Sequence, residues 1–327
     1  KWPTGLRRKL AAASGPTARA DAETQERNRW LNELRNQIIT AELPIIAIAG
    51  ATDDPDTAWA GVGQGLRART LRRRVRDWRK AARFYSIGSN LKWPSTVAHV
   101  LDYLQALASS STPVSTMHSF LAAFSLLSKS GGIPVADQLH KHDMVVSFVR
   151  EYGLCRQQGN THPTRKAPCT TIAMLVAFEI AVVSLGLPRY ERMYAWYRCV
   201  RWWTAQRFDD HRGMVPSLMK LMSNGLRATL VRTKTMGAGR KKQHLEVIVD
   251  RQAWVVEESW LQVGWDLWAS TPQPRDYFLG LPAADRQSMI PVEAKYSDAV
   301  AMDRALLKSL RDRNGSFLIH GSNAECF

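Results

Sequence analysis

The residues best suited to chemistry lie between Trp202 and Asp250. Arg207 is followed three positions later by Asp210, in the run Arg207-Phe208-Asp209-Asp210. That spacing sets a guanidinium and a carboxylate one turn apart on a helix face. A second cation, Lys234, sits in Arg232-Thr233-Lys234-Thr235, just before a glycine-bearing basic stretch that holds Arg240, Lys241 and Lys242. A planar guanidinium can grip two non-bridging oxygens of a phosphodiester, and an ammonium can protonate a departing oxygen. Both roles belong to phosphoryl transfer, where fixed cations supply much of the catalysis. Singly, an Arg-x-x-Asp pair is most often a surface ion pair, and a basic hairpin a solvated loop. Order and spacing together carry the signal.

The elements that must position these residues follow from periodicity. Tyr190, Met193, Tyr197, Val200 and Trp203 recur at three or four residues, which predicts a helix from Tyr190 to Phe208 ending on the Arg207 pair. Met214–Met222, Leu226–Thr233 and Gln243–Val249 read as strands, with Ser223-Asn224-Gly225 as a turn. Lys234 then stands at the shoulder of the hairpin joining the last two.

An Arg-x-x-Asp at a helix end followed by a hairpin bearing Arg-Thr-Lys-Thr resembles the first half of the catalytic domain of tyrosine recombinases, the family of phage integrases. Within it the chain looks most like DIRS-like and Crypton-like recombinases of mobile elements. The resemblance implies that Arg207 is the first catalytic arginine, Asp210 the acid that helps hold it, and Lys234 the acid for the leaving oxygen. It also implies a 3′-phosphotyrosyl intermediate, a tetramer on double-stranded DNA, and no metal or nucleotide cofactor. Upstream, Trp93-Pro94, Tyr103-Leu104 and Ala122-Ala123-Phe124 are similar to the helical core-binding domain that clamps the duplex in that family.

The chain departs from the family after the hairpin. His320 is followed at three residues by Asn323 instead of arginine, and no tyrosine comes later. Tyr277 and Tyr296 precede any second-arginine box, so neither fits the nucleophile. The expectation is a chain that stops before the second half of the catalytic domain and binds DNA without cleaving it.

Composition narrows the partners. The 327 residues, 45% apolar, suffice for two domains, and a net charge of +16 points to a polyanion. The apolar run Thr170–Leu187 is short, holds Glu179 and ends at Pro188, so it reads as a buried helix and not a membrane span. Cys155, Cys169, Cys199 and Cys326 are widely spaced, without metal-ligand or disulfide patterning, which fits an intracellular protein, nuclear in a eukaryote. The chain begins at Lys1, and the native start is expected to lie upstream. His140, His142, His162 and His211 lack the spacing of a metal site, and the tryptophans read as core residues.

The predicted organisation is a weakly patterned segment over 1–65, a helical core-binding domain over 66–155, a basic linker over 156–168, and a partial α+β catalytic domain over 169–327. The fold class is therefore mainly α with a small antiparallel sheet. Within 1–65, Gln25–Ile39 is helical in pattern, and Gly61–Gly65 lacks the spacing of a nucleotide loop. Leu71, Val75, Trp78 and Ala82 form an apolar stripe, while Arg69, Arg72, Arg73, Arg76, Arg79, Lys80 and Arg83 cover the rest of that helix and are candidate phosphate contacts. Arg165 and Lys166 in the linker, and Arg232, Arg240, Lys241 and Lys242 around the hairpin, complete the DNA-binding set. Thr170 or Thr171 caps the next helix, whose expected core is Ile172, Leu175, Val176, Ile180 and Val183. Two other functions stay open: a non-catalytic DNA-binding relic or regulator, and a basic helical scaffold for RNA or protein.

Overall fold

A computed structural model describes residues 2, 17–158, 171–230, 245–271 and 275–314. The chain is mainly helical, with a three-stranded and a two-stranded antiparallel sheet. It divides into two compact units, residues 23–165 and residues 1–22 together with 166–327. Among the described residues no helix is long and apolar enough to cross a membrane.

The first, all-helical unit draws on α1 (Ala18–Thr40), α2 (Ile45–Gly50), α3 (Pro55–Ala60), α4 (Ala68–Ser89), α5 (Val97–Ser109), α6 (Val114–Ser130) and α7 (Asp143–Gln158). Leu71, Val75, Trp78, Ala81 and Tyr85 are the buried stripe of α4, and they meet Phe120, Ala123, Phe124 and Leu127 of α6. Trp78 lies nearly parallel to Phe124, with ring centroids 5.8 Å apart. Thr96 caps α5, its hydroxyl accepting the His99 N–H at 3.3 Å. Residues 23–65 are part of this core: Trp30, Leu34 and Ile38 of α1 pack into it, as does Val62. Close approach explains one glycine, because a Cβ at Gly131 would sit 2.3 Å from Leu43 Cδ1.

The second unit is built around α9 (Arg189–Trp203), which buries residues on every side from Tyr190 to Val200. Around it stand α8 (Ile172–Val183), α10 (Phe208–His211), α11 (Trp260–Ala269) and α12 (Tyr296–Asn314). Gly264 lets α11 close on α9; a Cβ there would lie 2.0 Å from Trp196 Cδ1. Asp303 ties α12 to α9, accepting from Tyr194 Oη at 2.7 Å and pairing with Arg198 Nε at 3.0 Å. Burial raises the Asp303 carboxyl above its ordinary value, and Arg198 opposes that shift.

Thr171 caps α8, but the helix buries a different face from the expected one. Leu175, Ala177, Phe178, Glu179, Ala181 and Val182 are inside, while Ile172 and Ile180 are exposed. A helix apolar all round gives no phase to read. Glu179 decides it by accepting N–H bonds from Val255, Val256 and Glu257 at 3.0–3.3 Å.

The three-stranded sheet runs β1 (Lys220–Met222), β2 (Gly225–Leu230) and β3 (Leu245–Asp250), with Leu226 opposite Val249 and Leu230 opposite Leu245. Leu226, Ala228 and Leu230 alternate into the core. The expected first strand is shorter than 214–222, because Met214 makes only an isolated bridge and Pro216–Leu218 form a 3-10 turn. A second hairpin pairs β4 (Gly280–Pro282) with β5 (Met289–Glu293).

Candidate nucleic-acid interface

The predicted helix from Tyr190 to Phe208 is in fact two helices. It stops at Trp203, and the chain turns through Ala205, whose φ of 48° is left-handed. Thr204 Oγ1 donates back to Val200 O at 2.7 Å, and Arg201 Nε donates to Gln206 O at 3.2 Å, closing the corner. Arg207 is thus the N-cap of the one-turn α10, not the end of a long helix.

That turn has two faces. Phe208 and His211, three apart, are buried. Phe208 sits under the guanidiniums of Arg201 and Arg212 and meets the Tyr296 ring at 5.4 Å. Arg207 and Asp210 fall on the other face and line a cavity of about 530 Å³ with Trp203, Gln206 and residues of β2 and β3. Asp210 N–H donates to Arg207 O at 3.1 Å. Among the described residues the Arg207 guanidinium makes no salt bridge to Asp210, and the bond that joins the two residues is the backbone one of the turn.

Leu230 and Leu245 also line this cavity. They are the described residues on either side of 231–244 in the sequence, paired with each other at the end of the β2–β3 ladder. Lys234, Arg232, Arg240, Lys241 and Lys242 themselves lie outside the described residues, as do Arg165 and Lys166. Glu246 adds a carboxylate to the lining and pairs with Arg227 at 3.7 Å.

His211 anchors the turn from beneath. Its ring lies 4.3 Å from Tyr197 and 4.9 Å from Phe278, centroid to centroid. Nε2 is 3.1 Å from Tyr197 O and Nδ1 is 3.0 Å from Gln206 Oε1. Burial, helped by Arg201, pushes the imidazole well below its ordinary value, so it is neutral with one N–H. The Tyr197 carbonyl takes that proton at Nε2, which leaves Nδ1 an acceptor and requires the Gln206 amide to be turned so that its NH₂ group replaces Oε1 opposite Nδ1.

A pH dependence follows. Below the ordinary imidazole value of 6.5 the unfolded chain gains a proton that folded His211 refuses, so stability falls as pH drops through that region. Melting curves between about pH 8 and pH 5 are expected to show this loss, and His211→Gln, which cannot titrate, to show a smaller one. Some slope remains in the variant, because burial also lowers His140. An identical slope in wild type and variant would contradict the role given to His211.

In the helical unit, the α4 cations divide into two sets. Glu26, Trp30 and Glu33 of α1 run beside Arg72, Arg76 and Arg79: Arg72 pairs with Glu26 at 2.9 Å, Arg76 lies 5.4 Å over the Trp30 ring, and Arg79 pairs with Glu33. These three hold α1 to α4. Arg73 pairs weakly with Asp77 at 3.7 Å and donates to Ser119 Oγ. Arg69, Arg73, Arg76, Arg79, Lys80 and Arg83 are all exposed and Arg72 is half-buried, so three of the seven predicted phosphate contacts, Arg72, Arg76 and Arg79, also touch α1.

Sequence reasoning missed Glu179, Arg201 and the corner at Ala205. A carboxylate inside an apolar helical run was the available signal for the first. Among the described residues no group of three or more His, Cys, Asp or Glu side chains converges to hold a metal. Another cavity, of about 360 Å³, is lined largely by apolar residues of α6 and α7 such as Val114, Leu121 and Val149. No protein-family model matches the chain, and no curated protein matches its sequence.

Proposed function

We propose that the chain is the DNA-binding portion of a site-specific recombinase of the tyrosine-recombinase type from a mobile element. In the intact parent, Arg207 and Lys234 would act on the phosphodiester attacked by a tyrosine supplied outside the sequence described here. The observation that carries this is the shared cavity: Arg207, Asp210 and the two strand ends flanking the Lys234 segment line one hollow. A cation with no ion-pair partner among the described residues, lining the same hollow as Leu230 and Leu245, suits a phosphate better than a structural ion pair does. The net charge of +16 supports a polyanionic partner, and the exposed Arg69, Arg73, Lys80 and Arg83 supply further phosphate contacts. Asp210 fixes the turn that presents Arg207.

The test is competition. A labelled duplex bound to the protein is expected to be displaced by unlabelled duplex DNA at lower concentration than by structured RNA of equal length. Preference for the RNA would overturn the proposal in favour of an RNA-binding scaffold, since a groove fitted to B-form DNA does not fit an A-form helix.

A further inference from the structure

A second hollow, of about 330 Å³, is lined by Arg198, Arg201, Trp202, Ala205 and Gln206. It shares Ala205 and Gln206 with the Arg207 cavity, so the two lie on either side of one corner. We infer that this second hollow seats another phosphodiester of the same strand, with Arg201 as its ligand. The inference rests on the assignment of a phosphate to Arg207.

Charge distinguishes the two hollows. Asp210 and Glu246 line the first, whereas the described residues lining the second include two arginines and no carboxylate. Arg198 is held by Asp303 at 3.0 Å and is only 9% exposed, so it contributes field and not reach. Arg201 is half-buried and already oriented: Nε donates to Gln206 O at 3.2 Å, and its guanidinium carbon lies 5.9 Å over the Phe208 ring. Its terminal nitrogens have no hydrogen-bond partner among the described residues. A guanidinium fixed at one edge and open at the other is arranged for a two-oxygen acceptor, and little side-chain freedom remains to be lost on binding.

The corner itself supports the assignment. Ala205 holds a left-handed φ of 48°, a conformation that disfavours a Cβ and that glycine would adopt without cost. Backbone strain of this kind persists where the surroundings over-determine it and clusters at ligand sites. Arg201, in the last turn of α9, and Arg207, at the start of α10, flank this corner in sequence. Trp202 forms a rigid wall to the second hollow.

Arginine modification by phenylglyoxal, mapped by mass spectrometry on the wild-type protein with and without a short duplex, tests this directly. Arg201 and Arg207 are both expected to be protected by DNA. Protection of Arg207 alone would overturn the second phosphate site and leave the Arg207 assignment standing; protection of neither would remove both. In parallel, Arg201→Gln is expected to weaken duplex binding about tenfold and to reduce the slope of log K against log salt by about 0.9, the value for one lost phosphate contact. Wild-type affinity and slope in a folded Arg201→Gln protein would overturn the inference. The protection experiment decides the case if that variant does not fold.

Discussion

Glu179→Leu is expected to destabilise the sheet-bearing unit by about 3–5 kcal/mol, because three backbone N–H groups lose their acceptor at once. The wild-type carboxylate, with no exposed surface, accepts the N–H groups of Val255, Val256 and Glu257. Leucine fills the space but accepts nothing, and each donor left without a partner costs about 1–3 kcal/mol. The loop before α11 would lose its anchor, and Trp260, whose Nε1 donates to Ala253 O at 2.8 Å, would be loosened with it. Urea titration followed by tryptophan fluorescence measures the loss, and amide exchange at 255–257 locates it. Glu179→Gln, which keeps an acceptor oxygen, is expected to cost less than half as much. A change below about 1 kcal/mol for the leucine variant would show that water replaces the carboxylate.

Duplex affinity is expected to fall by about 10³–10⁵ between 50 and 200 mM salt, the range for a protein that neutralises roughly six to ten phosphates. The excess of 45 Lys and Arg over 29 Asp and Glu is large enough for such a footprint even though Arg72, Arg76 and Arg79 are committed to α1. Weak, salt-insensitive binding would mean that the remaining cations do not form a common surface for a strand.

Much of the architecture is legible in the sequence, and the places where it is not have physical causes. The helices of the 66–155 region announce themselves because each carries one apolar stripe, as Leu71, Val75 and Trp78 do on α4. The three-stranded sheet is legible from alternation over Leu226–Leu230 and from Gly225, whose φ of 139° and close approach to Val249 O admit no side chain. The β4–β5 hairpin is hidden because all three residues of β4 are buried, so no alternation marks it. The end of α9 is hidden for a different reason: Ala205 takes a left-handed conformation usually marked by glycine or asparagine. A periodic apolar pattern runs straight through the corner.

The same limits apply to the candidate site. Arg207 and Asp210 are identifiable from their spacing, and the structure places them on one face of a turn, over one cavity. What holds them there comes from residues remote in sequence. His211 is wedged between Tyr197 and Phe278, and Phe208 is packed against Tyr296. The charged face of α4 shows the converse: a run of arginines looks uniform in sequence, and only the partner helix α1 separates the cations that touch it from the rest.

The account turns on whether the Arg207 cavity holds a phosphodiester of DNA, and the salt dependence of duplex binding by wild type and Arg207→Ala tests it most directly. Fluorescence anisotropy across a series of salt concentrations is expected to give two straight lines of log K against log salt. The variant line should be shallower by about 0.9, with affinity reduced similarly for unrelated duplex sequences. Superimposable lines from two equally folded proteins would contradict the account, because Arg207 would then touch no phosphate.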